Sequence, residues 1–184
     1  MTDELIKKMK DSVVGALRGV DDIYDTLFDI VKGDVVDVLK AAGDITEVGA
    51  GSVSKIVSSL IHGVTEVGGE AVEGAEKIVM ATLRGAVDAG MGTVDMITES
   101  VHGVIKGTSE VGGDIGKAAV GAVKGAIGAA ADLGVSTEEA LEKAVTGAID
   151  AAGEISEEAV ENVKSALEAS IEGAKDVLKA PFEK

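Results

Sequence analysis

In this 184-residue sequence only His62 and His102 could serve as imidazole ligands or general bases. They stand 40 residues apart, and neither belongs to a His-Glu-x-x-His or similar pattern, so metal-assisted and general-base chemistry find no constellation here. Cysteine is absent, which removes a thiolate nucleophile, a disulfide and a cysteine-bound metal. The stretch GKAAVG, residues 116–121, lacks the Lys-Ser or Lys-Thr ending of a phosphate-cradling loop. With 33 Asp and Glu residues, no carboxylate pair singles itself out. The sequence therefore assigns no catalytic residue, no metal ligand and no cofactor, and points to a non-enzymatic protein.

What remains is a chemistry of contact. Arg18, Lys40, His62, Arg84 and Lys106 recur every 22 residues. A basic side chain at the edge of an apolar stripe lays its methylenes on the stripe and keeps its charge in water. Three roles are open to this column: a solvated helix edge, pairing with acids of a neighbouring helix, and contact with lipid headgroups. Tyr24 and Phe28, one turn apart, read first as a packing anchor, with ligand stacking as the alternative.

The basic column is positioned by the residue before it. The branched apolar positions Leu17, Leu39, Ile61, Leu83, Ile105, Val123, Val145 and Ile171 follow steps of 22, 22, 22, 22, 18, 22 and 26. The columns four residues upstream, Val13 to Leu167, and six downstream, Ile23 to Val177, are apolar throughout. A period of 22 is twice 11, three helical turns at about 3.67 residues each, and favours a right-handed supercoil. A shift of four residues is only about one turn, so the 18 and 26 steps keep the stripe on its face. Strands, with a period of 2, do not fit.

Composition narrows the packing. The chain is 46% apolar but has no Trp, one Tyr and two Phe, alongside 25 Gly and the single Pro181. Its core must be built from Val, Ile, Leu and Ala. Gly15 with Gly19, Gly103 with Gly107, and Gly121 with Gly125 are spaced to let a second helix backbone come close. The formal charge of −16 argues against a nucleic-acid partner and against strongly anionic membranes. No apolar run reaches a membrane-spanning length, and MTDELIKKMKDSVV does not read as a signal peptide; the expected location is cytoplasmic.

The expected fold is all-α, with amphipathic helices in 22-residue, hendecad-type repeats, broken at Gly-rich turns and packed side by side in a bundle, tube or filament. Residues 1–42 read as a long N-terminal helix, 43–135 as Gly-rich helical repeats and 136–184 as capped C-terminal helices. Turns or kinks are expected in Gly43–Ser52, at Gly68 with Gly69 and at Gly112 with Gly113. Gly134 stops a helix, Ser136 with Glu139 forms a capping-box pattern, and Ser156 opens another helix; these signals place helices at 136–152 and 156–179. Two arrangements fit: a few very long helices, or one helix and a tight turn per 22 residues.

The run GVTEVGGEAVEGAEKIV, Gly63 to Val79, resembles the Val-Thr-Gly-Ala repeats of synucleins. The 22-residue period is similar to that of exchangeable apolipoproteins, and 11-residue helical repeats also mark late-embryogenesis-abundant proteins. This sequence has Gly where apolipoproteins have Pro, and it lacks the Lys-Thr-Lys-Glu core of synucleins. Because one repeat cannot bury its own stripe, the first expectation is a structural subunit that self-associates, a homo-oligomer, through the eight branched positions. The alternative is a coat or carrier whose stripe meets lipid, a storage granule or another apolar surface.

Overall fold

A computed structural model describes residues 2–18, 23–41 and 50–179. They form α1 (Thr2–Leu17), α2 (Ile23–Ala41), α3 (Ala50–Glu66), α4 (Ala71–Asp88), α5 (Thr93–Glu110), α6 (Ile115–Leu133), α7 (Thr137–Ile155), α8 (Glu157–Ser170) and α9 (Ala174–Lys179). No strand occurs among the described residues. Of the two arrangements, the chain adopts one helix and one tight turn per 22 residues across its central part.

The turns explain why the period is so regular. Gly68, Gly90, Gly112 and Gly134 lie 22 residues apart, and each has a positive φ, between +70° and +89°. A side chain would strain that left-handed backbone, whereas Gly adopts it freely. At the first of these turns the Gly69 N–H donates to the Val64 carbonyl at 2.9 Å and the Gly68 N–H to Thr65 at 3.1 Å. The same two bonds recur at Gly90 with Met91, Gly112 with Gly113 and Gly134 with Val135. Carbonyls left over at the helix end are thereby satisfied, and the next helix starts three residues after the glycine. Gly43–Ser52 falls mostly outside the described residues, as does Pro181.

Helix starts use side chains where the sequence supplies them. Asp114 accepts from the Lys117 N–H at 3.0 Å, Ser136 from Glu139 at 3.3 Å and Ser156 from Ala159 at 3.1 Å. Ser156 is the single extended residue between α7 and α8, so α7 runs through Gly153 to Ile155, past the expected end at 152. The helix expected over 156–179 is two helices, separated at Gly173, whose φ is +83°.

Each helix packs on the helix two places further along, giving one layer of α1, α3, α5, α7 and α9 and another of α2, α4, α6 and α8. Consecutive helices join the layers; α1 and α2 are two such helices packed on each other, not one helix over 1–42. A continuous helix could not fold its own stripe inward, and a supercoil over successive repeats has no unbroken helix to run along. The core between the layers is Val, Ile, Leu and Ala with Met9 and Met96, and has many alanines in α6 and α7. Small side chains keep the helices close and leave each contact dependent on shape rather than bulk.

Candidate functional site

The eight branched positions sit one to a helix from α1 to α7, with Ile171 directly after α8. All are buried in the single chain: Leu17 and Leu39 are 1% exposed, Ile61, Leu83, Ile105, Val123 and Val145 are 0%, and Ile171 is 8%. In the single chain these positions, expected as a self-association stripe, are core. Their neighbours are successive helices of the same chain. Among the described residues, Ile155 is the one large apolar side chain that stands exposed.

The basic column lies at the seam between neighbouring helices of one layer. Arg18 pairs with Glu66 at 3.4 Å, His62 with Glu110 at 2.9 Å, and Arg84 with Asp132. Each acid lies 48 residues further on: 44 carry the chain to the equivalent place two helices along, and four more move one turn. Of the three roles left open for these residues, pairing with a neighbouring helix is the one observed for Arg18, His62 and Arg84. Lys10 also reaches Glu66, at 3.0 Å, and hydrogen bonding from Lys10 is the main reason the Glu66 carboxyl is held below its ordinary pKa. Arg84 further lies over the Phe28 ring, 5.3 Å from its centroid. The Tyr24 hydroxyl accepts from the Glu70 N–H at 3.0 Å at the start of α4, and partial burial pushes its pKa up. Both aromatics therefore anchor α2 to its surroundings.

The glycines divide. A Cβ on Gly103 would stand 2.5 Å from the Ser54 carbonyl oxygen, and one on Gly107 2.9 Å from the Ser58 Cα, so these two seat α5 on α3. Gly121 and Gly125 seat α6 on α4, against the Val72 and Glu76 carbonyls at 2.8 and 2.5 Å. Gly15 has open space within 4 Å and seats nothing; Gly19 lies outside the described residues. The sequence spacing is the same in every pair, and only the direction each glycine faces separates them.

Close seating of α5 on α3 builds a groove with the form of a binding site. The outward face of α3 carries Ser54, Lys55, Ser58 and Ser59, small side chains apart from the lysine, and forms the floor of a groove of about 610 Å³. Its walls come from α1, with Ile6, Lys7 and Lys10, and from α5, with His102 and Lys106. Ser54 Oγ lies 3.0 Å from His102 Nδ1, and His102 Nε2 lies 3.2 Å from a Glu154 carboxylate oxygen. Ser58 Oγ donates to Glu110 at 3.1 Å. Sequence reasoning weighed the two histidines alone and missed these serines. The available signal was the same 48-residue separation, which relates Ser54 to His102 as it relates Arg18 to Glu66. Among the described residues no group of three or more His, Asp or Glu gathers as a metal site, and no helix is long and apolar enough to cross a membrane.

The architecture defines an all-helical repeat fold. Across 97% of this chain and 98% of the other, it is similar to the crystal structure of a de novo designed helical repeat protein, with a TM-score of 0.55 and 21% sequence identity. No protein-family model matches the chain, and no curated protein does. The likeness to synucleins, apolipoproteins and late-embryogenesis-abundant proteins stays a likeness of sequence pattern.

Proposed function

We propose that the chain is a non-enzymatic structural protein, a helical-repeat scaffold that folds as a single copy and offers its layer surface, above all the α1–α3–α5 groove, to a partner. The observation carrying this reading is the burial of all eight branched positions within one chain. Assembly through that stripe, and equally a lipid coat spread through it, would require separating the layers and exposing Ile, Leu and Val side chains at roughly 1.5–3 kcal/mol each. The hendecad-type repeat then serves to make equal helix-and-turn units that stack, and the acidic outer surface keeps the stack dispersed.

Size-exclusion chromatography with light scattering, combined with circular dichroism, tests this. The expected result is a helical particle with the mass of one chain, whose helix content is unchanged by phospholipid vesicles. A tube, filament or large oligomer without lipid would reinstate self-association, and helix that forms only on vesicles would reinstate the coat; either overturns the single-copy scaffold.

A further inference from the structure

The groove differs from the rest of the surface in charge. The chain has 17 Lys and Arg against 33 Asp and Glu, yet this groove gathers Lys7, Lys10, Lys55, Lys106 and His102 around three acids. Two of those acids are engaged: Asp3 pairs with Lys55 at 3.3 Å, and Glu110 holds both His62 and Ser58. Lys10 is drawn to Glu66. Lys7 on α1 and Lys106 on α5 have no ion-pair partner among the described residues, and both are exposed. They stand on the two helices that flank the α3 floor.

The floor adds polar groups that water reaches poorly. Ser54 and Ser58 are 7% and 8% exposed, because Gly103 and Gly107 bring the α5 backbone down on them. Between the charges the lining is apolar, from Ile6 and the lysine methylenes. A volume of about 610 Å³ falls in the range of sites for small molecules. We propose that the groove binds a small amphipathic anion, its carboxylate or phosphate head held by Lys7 and Lys106 and its apolar body lying along Ile6 and the lysine methylenes. This deepens the scaffold reading and rests on it: the partner held on the layer surface is, or carries, such an anion.

Anilinonaphthalene sulfonate, an anionic aromatic amphipath whose fluorescence rises in apolar surroundings, is the probe. Saturable binding at one site per chain is expected, weakening as salt is added. The double substitution Lys7→Glu with Lys106→Glu should weaken it by about tenfold or more, whereas Lys143→Glu, an exposed lysine of α7 outside the groove, should change it less than about twofold. Decanoate and octyl phosphate compete in separate titrations: displacement by the first alone assigns a carboxylate head, by the second alone a phosphate head, and by both a general anion site. Circular dichroism and light scattering accompany every variant. A folded single-copy protein with no saturable binding, with binding that neither competitor displaces, or with equal binding in the double variant and Lys143→Glu overturns the anion site and leaves the scaffold standing. A chain that assembles or lacks helix overturns the scaffold itself.

Discussion

Replacing Gly125 with Ala isolates what the close seating of the helices contributes. In an open helix interior this change stabilises by about 1 kcal/mol, since Ala is the better helix former. At Gly125 the added Cβ would meet the Glu76 carbonyl oxygen at 2.5 Å and the Glu76 C and Cα at 3.2 Å, all backbone atoms of α4 that cannot rotate aside. Helix α6 must withdraw, and the buried alanines on the same face, Ala118, Ala122 and Ala129, lose contact with it. Overpacking of this kind costs about 1–3 kcal/mol. Gly33→Ala in α2 is the matched control, because nothing lies within 4 Å of its added Cβ. Gly33→Ala is expected to raise Tm by about 2–4 °C. Gly125→Ala should fall below it by about 1–3 kcal/mol in urea unfolding followed by circular dichroism, the propensity gain cancelling between the two. Equal stabilisation by both substitutions would refute the claim that α6 rests on the α4 backbone.

Other perturbations probe other parts of the fold. Ser136→Ala removes the hydroxyl that accepts from the Glu139 N–H and should cost about 1 kcal/mol, read as a lower urea midpoint at unchanged slope. Ile61→Asp places a carboxylate at a position with no exposure and should cost several kcal/mol, seen as loss of cooperative thermal unfolding; a native-like melt would show that Ile61 is not in the core. Asp34 is held above its ordinary pKa chiefly by burial, then by Asp37, and one of its oxygens is buried without a partner. Its charged form is the costly one, so its contribution to stability is present at low pH and is lost as pH rises through the raised folded value. Asp34→Asn should therefore raise Tm near neutral pH, with the gain disappearing below the ordinary carboxylate value of 3.8. A gain that persists in acid would assign the effect to something other than ionisation.

The period, the helix-and-turn unit and the identity of the buried positions were legible in the sequence because each is a local property. Helix geometry fixes which residues share a face, and a left-handed turn residue selects Gly, so Leu17, Ile61 and Gly68 carry their roles in their spacing. The sequence could not say what covers the stripe. Apolar burial is non-directional, and a helix of another copy or the next helix of the same chain would satisfy Leu83 equally well. Folding chose the same chain because the glycine turns at Gly68, Gly90, Gly112 and Gly134 reverse it and keep the next stripe tethered close by. The same holds for Gly103, which seats a helix where Gly15 does not, and for Ser54 and His102, 48 residues apart and brought to one groove only when alternate helices pack side by side. Spacing is written along the chain, but the partner across each contact exists only once the layers have closed.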